Sequence, residues 1–332
     1  MNSPDLQSAP IRHAISGLIG LVLLLLTASI DYRVLGYLKW PLYALTLLLL
    51  VGVIYSGRVY GGAQRWLVLG PIVFQPSEFV KLFMIVVMAR FLADKEGEMH
   101  RWGNFLLAFL LLIPPVILIY KEPDLGTAIA VLFVGGVMIL MSGVSLVHVG
   151  VSIGATLAAV PIVWQHLHGY MKERILSFIN PTMDPANYNN TRQALISIGS
   201  GGLLGQGYGK GTQNQLHFLR VRYTDFIFSV IAEEWGFIGT VVFLLILLLF
   251  LLRMIRQAER SPDPFGRLLI TGVVTLIYFQ IFVNIGMTMR LMPVTGIPLP
   301  FVSYGRSSLI TLMLGLGLVE SVVMRSKKLE FG

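Results

Sequence analysis

Long apolar runs recur along this 332-residue chain, near 14–31, 41–57, 77–94, 103–120, 125–142, 147–166, 237–255, 267–288 and 304–324. Each approaches the roughly 20 residues a helix needs to cross about 30 Å of hydrocarbon. Inside lipid the backbone must satisfy its own hydrogen bonds, which restricts spanning structures to helices and closed barrels. The sequence therefore predicts an all-α polytopic membrane bundle of about nine full spans, a single domain occupying 1–332. Hydrophobic residues make up 55% of the chain and charged ones only 13%, against about 25% charged in soluble domains.

The charge that remains is informative by position. Arg253, Arg256, Arg260 and Arg267 crowd one short loop, and Arg325, Lys327 and Lys328 the tail. Basic loops stay in the cytoplasm, so the C-terminus is expected inside and the long 167–224 segment outside. Counting spans backwards puts the N-terminus outside, with the first run retained as a span because it is too long for a removable leader. The pI near 9.7 reflects these loops and their attraction to anionic headgroups; the sequence carries no nucleic-acid motif, and no nucleic-acid partner is expected. With no cysteine, disulfides and thiolate metal sites are excluded.

The segment 167–224 ends in Tyr223-Thr224-Asp225-Phe226-Ile227-Phe228, an acid at the mouth of an apolar run. Thr224 is suited to cap a helix, and on a 3.6-residue period Asp225, Ser229 and Glu233 share one face. Ionisable residues at membrane depth usually face a cavity or a partner, which makes Asp225 the first candidate for chemistry. An acid that merely favours the positive end of a helix would look the same. Short, non-crossing helices are expected over 191–200 and 225–235.

Three further segments hold polar groups. Glu78 and Lys81 lie three residues apart after Gln75-Pro76, so Lys81 is either a cation facing an outer cavity or a helix-end lysine snorkelling to the headgroups. The turn Tyr120-Lys121-Glu122-Pro123-Asp124 joins two spans on the outer side, with Pro123 biasing Glu122 away from helix. Prolines 293, 298 and 300 prevent a continuous helix between Arg290 and Tyr304, and Ser303 and Tyr304 lead into the final span; a re-entrant lid over a polar outer pocket is expected. The seven glycines between Gly199 and Gly211 allow either a tightly turned loop or converging N–H groups around an anion.

Taken together, Gly62-Ala63-Gln64-Arg65-Trp66, Gln75-Pro76-Ser77-Glu78 with Lys81, Pro123-Asp124-Leu125-Gly126-Thr127, Ser200-Gly201-Gly202 with Gly205, Thr224-Asp225-Phe226-Ile227-Phe228 with Glu233-Glu234, and Pro293-Val294-Thr295-Gly296-Ile297-Pro298-Leu299-Pro300-Phe301 with Ser303-Tyr304-Gly305 resemble the SEDS family of RodA, FtsW and SpoVE, most of all its RodA-type members. The resemblance runs in order from about 14 to 326. The chain departs from the family pattern at Arg220-Val221-Arg222-Tyr223, at Arg290 and Arg306 where glycines are usual, and at Ala194 where serine is usual. Family members commonly have ten spans, and this chain is expected to begin at the second.

The resemblance implies a peptidoglycan glycosyltransferase in the bacterial inner membrane, its site facing outward, that polymerises lipid II beside a class B penicillin-binding protein. Asp225 matches the family's catalytic aspartate and Lys81 its functional lysine. Joining an α-linked donor through a β-1,4 bond inverts the anomeric carbon, so one displacement suffices, with a base on the acceptor hydroxyl. Asp225 is expected to be that base, or to anchor a divalent cation, Mg2+ or Mn2+, that activates the hydroxyl; no organic cofactor is implied. Lys81, Arg65, Lys121 and Arg222 would hold the pyrophosphate, with Glu78, Glu122, Glu233, Ser303 and Tyr304 lining the substrate site. A flippase of the lipid-linked precursor, or a catalytically silent scaffold for a penicillin-binding protein, are the alternatives.

Overall fold

In the computed structural model the described residues are 9–60, 63–69, 72–167, 169–180, 185–211 and 224–329. They form helices α1 (Ala9–Ser29), α2 (Tyr32–Tyr37) and α3 (Lys39–Ser56), strands β1 (Arg58–Tyr60), β2 (Ala63–Leu69) and β3 (Ile72–Phe74), then α4 (Pro76–Asp94), α5 (Trp102–Lys121), α6 (Leu125–Met141), α7 (Leu146–His166), α8 (Gly169–Ile179), α9 (Pro185–Ser200), α10 (Ile227–Arg260), α11 (Pro264–Thr288) and α12 (Arg306–Leu329). All nine predicted runs correspond to helices, although residues 30–31, 57, 142 and 304–305 fall outside them. Seven of these are long and apolar enough to cross a membrane; α6 is just short, and α4 carries Glu78, Lys81 and Arg90 within a 19-residue length. The short helices expected over 191–200 and 225–235 are the end of α9 and the start of α10.

The chain divides into two compact units, the first comprising Met1–Val160, Met254–Phe279 and Arg306–Gly332, the second Pro161–Arg253 and Gln280–Gly305. In the first unit α4 is the central helix, in contact with α3, α5, α6 and α12 and buried along most of its length. Pro76 opens it, where a missing N–H costs nothing. At its centre Gly272 of α11 lets Ile85 and Met138 approach; a Cβ there would lie 2.6 Å from Ile85. The α1 and α12 helices pack closely, Gly20 against Met313 and Gly317 against Thr27 and Leu24. Their paired ends, near residues 28–30 and 321–325, are tied by polar bonds. The Ser321 hydroxyl donates to the Ile30 carbonyl at 2.6 Å, and the Arg325 guanidinium donates to the carbonyls of Ala28 (3.1 Å) and Ser29 (2.7 Å).

A three-stranded antiparallel sheet, not anticipated from the apolar pattern, separates α3 from α4. Its order is β1-β2-β3, with Arg58 opposite Trp66 and Leu67 opposite Phe74. Gln64 holds it to the end of α3 by donating to the carbonyls of Val53 (3.3 Å) and Ile54 (3.2 Å).

In the second unit α10 is broken at Gly236, whose φ of 67° and ψ of −169° only glycine adopts without strain. The carbonyls and N–H groups freed by the break are taken up by the glycine-rich stretch after α9. Gln206 and Gly207 donate to the carbonyls of Glu233 (2.9 Å) and Glu234 (3.1 Å), while Phe237 and Ile238 donate to those of Gly202 (2.8 Å) and Leu203 (3.1 Å). Of the two readings of this stretch, the tightly turned loop is the one found: these N–H groups serve the helix break rather than converging on an anion.

Candidate active site

Asp225 does not sit on a helix. Thr224 to Phe226 form a turn and α10 opens only at Ile227, so the expected helix start at Thr224 is displaced by three residues. The reason is that the backbone here is claimed by other elements. Asn284 of α11 donates through Nδ2 to the Asp225 carbonyl at 3.0 Å and to the Ile297 carbonyl at 2.8 Å. Ser303 donates to the Thr224 carbonyl at 2.6 Å while its oxygen accepts the Leu299 N–H at 2.7 Å. Phe226, buried, packs with Ala194 and Val294, so the alanine at 194 supplies an apolar contact. Asp225 is half-buried, and Gly296 keeps the space beside it: a Cβ there would stand 3.7 Å from Oδ2.

The predicted stripe of Asp225, Ser229 and Glu233 therefore divides. Ser229 and Glu233 are fully buried against α9, where the Ser197 hydroxyl lies 2.7 Å from the Glu233 carboxylate and 3.3 Å from the Ser229 carbonyl. Gly211 also abuts that carboxylate. Ser303 positions backbone rather than presenting its hydroxyl, and Tyr304 is half-buried. The 290–304 segment has the expected irregular backbone, buried at Ile297, Leu299 and Ser303. Arg290 in it has φ of 55°, a left-handed conformation that costs a non-glycine residue on the order of 1 kcal/mol or more. Its guanidinium stacks on Tyr188 with 4.7 Å from Cζ to the ring centroid. Arg222, like Arg220, lies outside the described residues.

Within the first unit, Lys81 and Glu78 form a buried ion pair, Nζ to Oε1 2.8 Å, with Lys81 only 4% exposed. That overturns the snorkelling reading: an ammonium this deeply enclosed is not reaching for headgroups. Its stem lines a narrow, otherwise apolar packing gap with Met84, Met88 and Met138. A second cluster surrounds the turn between α5 and α6. Arg65 on β2 donates through Nε to the Glu122 carbonyl at 3.2 Å and also to the Pro123 carbonyl, with NH1 3.8 Å from the Asp124 carboxylate. Asp124 caps α6 by accepting the Thr127 N–H at 3.2 Å and accepts the Gln75 amide at 3.0 Å. The Gln75 N–H in turn donates to Ser307 on α12 at 3.1 Å.

Glu122 ends α5 as expected of a residue before proline, although with φ −81° and ψ 20° it is not extended. It is 1% exposed, and among the described residues neither carboxyl oxygen finds a hydrogen bond. Burial, reinforced by Asp124 and partly offset by Arg65, pushes its carboxyl up to about 9. A neutral acid of this kind cannot neutralise a cation at pH 7. Lys121, its neighbour, is exposed at the end of α5.

Sequence reasoning missed Asn284, Gln75 and Asp124 as organisers of these clusters. Asn284 is a fully buried amide inside an apolar span, one helical turn after the buried Gln280, and strong hydrogen-bonding groups in such a run are themselves a signal.

A multi-pass helical membrane protein that fixes an acid by its backbone beside a glycine, and encloses a lysine–glutamate pair in its core, is defined here by fold and site alone. The chain matches the family model for FtsW, RodA and SpoVE, described as cell cycle proteins, over residues 3–328, and belongs to that family. It is 41% identical over 316 residues to the peptidoglycan glycosyltransferase MrdB of Escherichia coli K12, covering 94% of this chain and 84% of that one. Among solved structures it resembles a chain of a peptidoglycan synthase complex (TM-score 0.83, 36% identity, 96% of this chain and 90% of that one). It also resembles the rod shape determining protein RodA of Thermus thermophilus (TM-score 0.70, 34% identity, 95% and 87%).

Proposed function

We infer that this protein is a peptidoglycan glycosyltransferase. Family membership along nearly the whole chain, with 41% identity to a named glycosyltransferase, carries that conclusion. We propose lipid II as the substrate and Asp225 as the base that removes the proton from the attacking sugar hydroxyl. The oxygen then displaces the pyrophosphate lipid from the opposite face, forming a β-1,4 bond with inversion, and the released pyrophosphate keeps the bonding electron pair. What supports Asp225 is its rigid placement: two side chains hold the backbone of residues 224 and 225, which fixes the position from which the carboxylate is presented. Lys81 and Arg65 are assigned to the pyrophosphate, Arg65 by exchanging its bond to Asp124 for one to substrate.

Among the described residues no three His, Cys, Asp or Glu side chains converge into a metal cage. Among these residues a divalent ion would be held by Asp225 together with substrate phosphates, and no step above requires one.

The deciding experiment is polymerisation of purified lipid II by purified protein. Asp225→Asn, isosteric but unable to take a proton, should lower the rate by about 10²- to 10⁴-fold. Full activity in that variant would remove Asp225 from the mechanism, and failure of the wild type to polymerise, alone and with its partner, would favour the flippase or scaffold reading. The proposed partner is a single-span class B penicillin-binding protein, supported by the likeness to a chain of a peptidoglycan synthase complex.

A further inference from the structure

Beyond Gly236, α10 runs without interruption from Phe237 to Arg260, so which side chains share a face is fixed by the 3.6-residue turn of the helix alone. Leu247, Leu251, Met254 and Ala258 are buried and fall on one stripe. Arg253, Arg256 and Arg260 lie opposite that stripe, within an arc of about 60°, and all three are exposed. On the same outward arc, further back along the helix, stand Val242, Leu245 and Leu249, each at least half exposed. One face of α10 is therefore apolar as far as Leu252 and cationic from Arg253 onward.

Lys and Arg in a loop orient a membrane protein whatever face they occupy, so orientation alone explains neither the single stripe nor the absence of lysine from it. Other arginines meet an acid: Arg90 meets Asp94 at 2.9 Å, Arg101 meets Glu98 at 3.6 Å, Arg267 meets Glu96 at 2.9 Å and Arg325 meets Asp31 at 3.5 Å. Among the described residues Arg253, Arg256 and Arg260 form no ion pair, although Glu259 is beside them in sequence. Successive arginines stand about 4.5 and 6 Å apart along the axis at 1.5 Å per residue, which one head group can bridge. A guanidinium grips phosphate oxygens through a planar fork that an ammonium lacks. A water-soluble macromolecule could meet these arginines but not Leu245 and Leu249 on the same face, whereas a phospholipid has chemistry for both.

We propose that the face of α10 carrying Arg253, Arg256 and Arg260 is a docking site for an anionic glycerophospholipid, its phosphate held by the guanidinium groups and its acyl chains lying along Leu249, Leu245 and Val242. Lipid binding here does not depend on the glycosyltransferase reading. A lipid gripped at this point pins the depth of the helix in the bilayer.

Native mass spectrometry of the purified full chain, titrated with dioleoylphosphatidylglycerol and separately with dioleoylphosphatidylcholine, tests this with matched acyl chains. The wild type should bind the anionic lipid more tightly. Arg256→Gln combined with Arg260→Gln should weaken phosphatidylglycerol binding by about fivefold for each arginine removed and leave phosphatidylcholine binding as it was. Arg256→Lys combined with Arg260→Lys should fall between, since the charge remains and the fork is lost. Arg58→Gln combined with Arg101→Gln removes the same charge from two exposed positions away from α10 and should bind as the wild type does. Glycerol phosphate, a head group without chains, should not displace the lipid at equal concentration. Equal affinity for the two lipids, undiminished phosphatidylglycerol binding by the first variant, an equal loss in the Arg58 and Arg101 variant, or displacement by glycerol phosphate would each overturn the proposal.

Discussion

Glu122 and Lys81 show how differently two buried ionisable groups can be handled within one unit. Glu122 keeps its proton because nothing accepts the alternative. Its folded value of about 9 lies above the ordinary 4.3 or so of a free glutamate, so the folded state binds the extra proton between those limits. The stability linked to this residue is complete below the unfolded value and is lost as pH rises through the folded one. Glu122→Gln, neutral at every pH, should flatten the fall in thermal midpoint between pH 6 and 9 and be at least as stable as wild type at pH 8. A parallel pH profile would mean that the carboxylate is already ionised. Lys81 instead carries its partner with it, and removing one member of a buried pair costs about 3–5 kcal/mol by leaving the other charge unpaired. Lys81→Ala should therefore unfold more readily as well as lose activity. The pair Glu78→Gln with Lys81→Met should recover stability in thermal melts without recovering polymerisation, provided Lys81 serves the pyrophosphate.

At the scale of elements, the helices were legible because lipid leaves so few alternatives, and the spans read from runs of apolar residues survive with shifts of a few positions at their ends. The sheet was not read, although its signals were present: Gly61-Gly62 and Gly70-Pro71 punctuate runs rich in Val, Tyr, Trp and Ile. Against spans nine deep in apolar residues, three short strands carry little weight. Asp225 was legible as the acid to watch, but not its setting, because Asn284 and Ser303 come from 59 and 79 residues away along the chain. The break in α10 was hidden for the same reason, since Gly236 lies within an apolar run and its purpose appears only with the 202–207 backbone beside it. Gly236→Ala would require a strained φ costing about 1–3 kcal/mol, and its Cβ would collide with the backbone of Leu203, Leu204 and Gly205. The variant should melt well below wild type and lose protection of the Gln206 and Gly207 amides in hydrogen exchange. Unchanged exchange there would show that the loop holds without the break.

For the molecule as a whole, the small residues of the late helices are taken up internally. Small residues in membrane helices commonly mark faces where a partner helix packs closely. Gly272 instead faces Ile85 and Met138, Gly315 faces Val273 and Leu82, and Gly317 faces Thr27. Large substitutions at these positions should lower the yield of folded protein with or without partner, as size-exclusion profiles would reveal, and so cannot report on docking. Topology remains testable from the Lys and Arg bias: an N-terminal tag should be labelled by a membrane-impermeant reagent from outside and a C-terminal tag only after the membrane is opened. Labelling of both tags only after opening would contradict the proposed orientation.

The packing of α1 on α12 also sets an order of manufacture. α1 leaves the ribosome well before α12, against which it chiefly settles, and at about 5–20 residues per second the wait between them is on the order of fifteen seconds to a minute. Throughout that interval the groove at Gly20 is exposed to whatever insertion machinery or lipid surrounds it, and the Ala28 and Ser29 carbonyls have yet to meet Arg325. A nascent chain cut short before α12 would display that open helix permanently, a visible flag by which membrane proteases can tell a truncated product from a finished one.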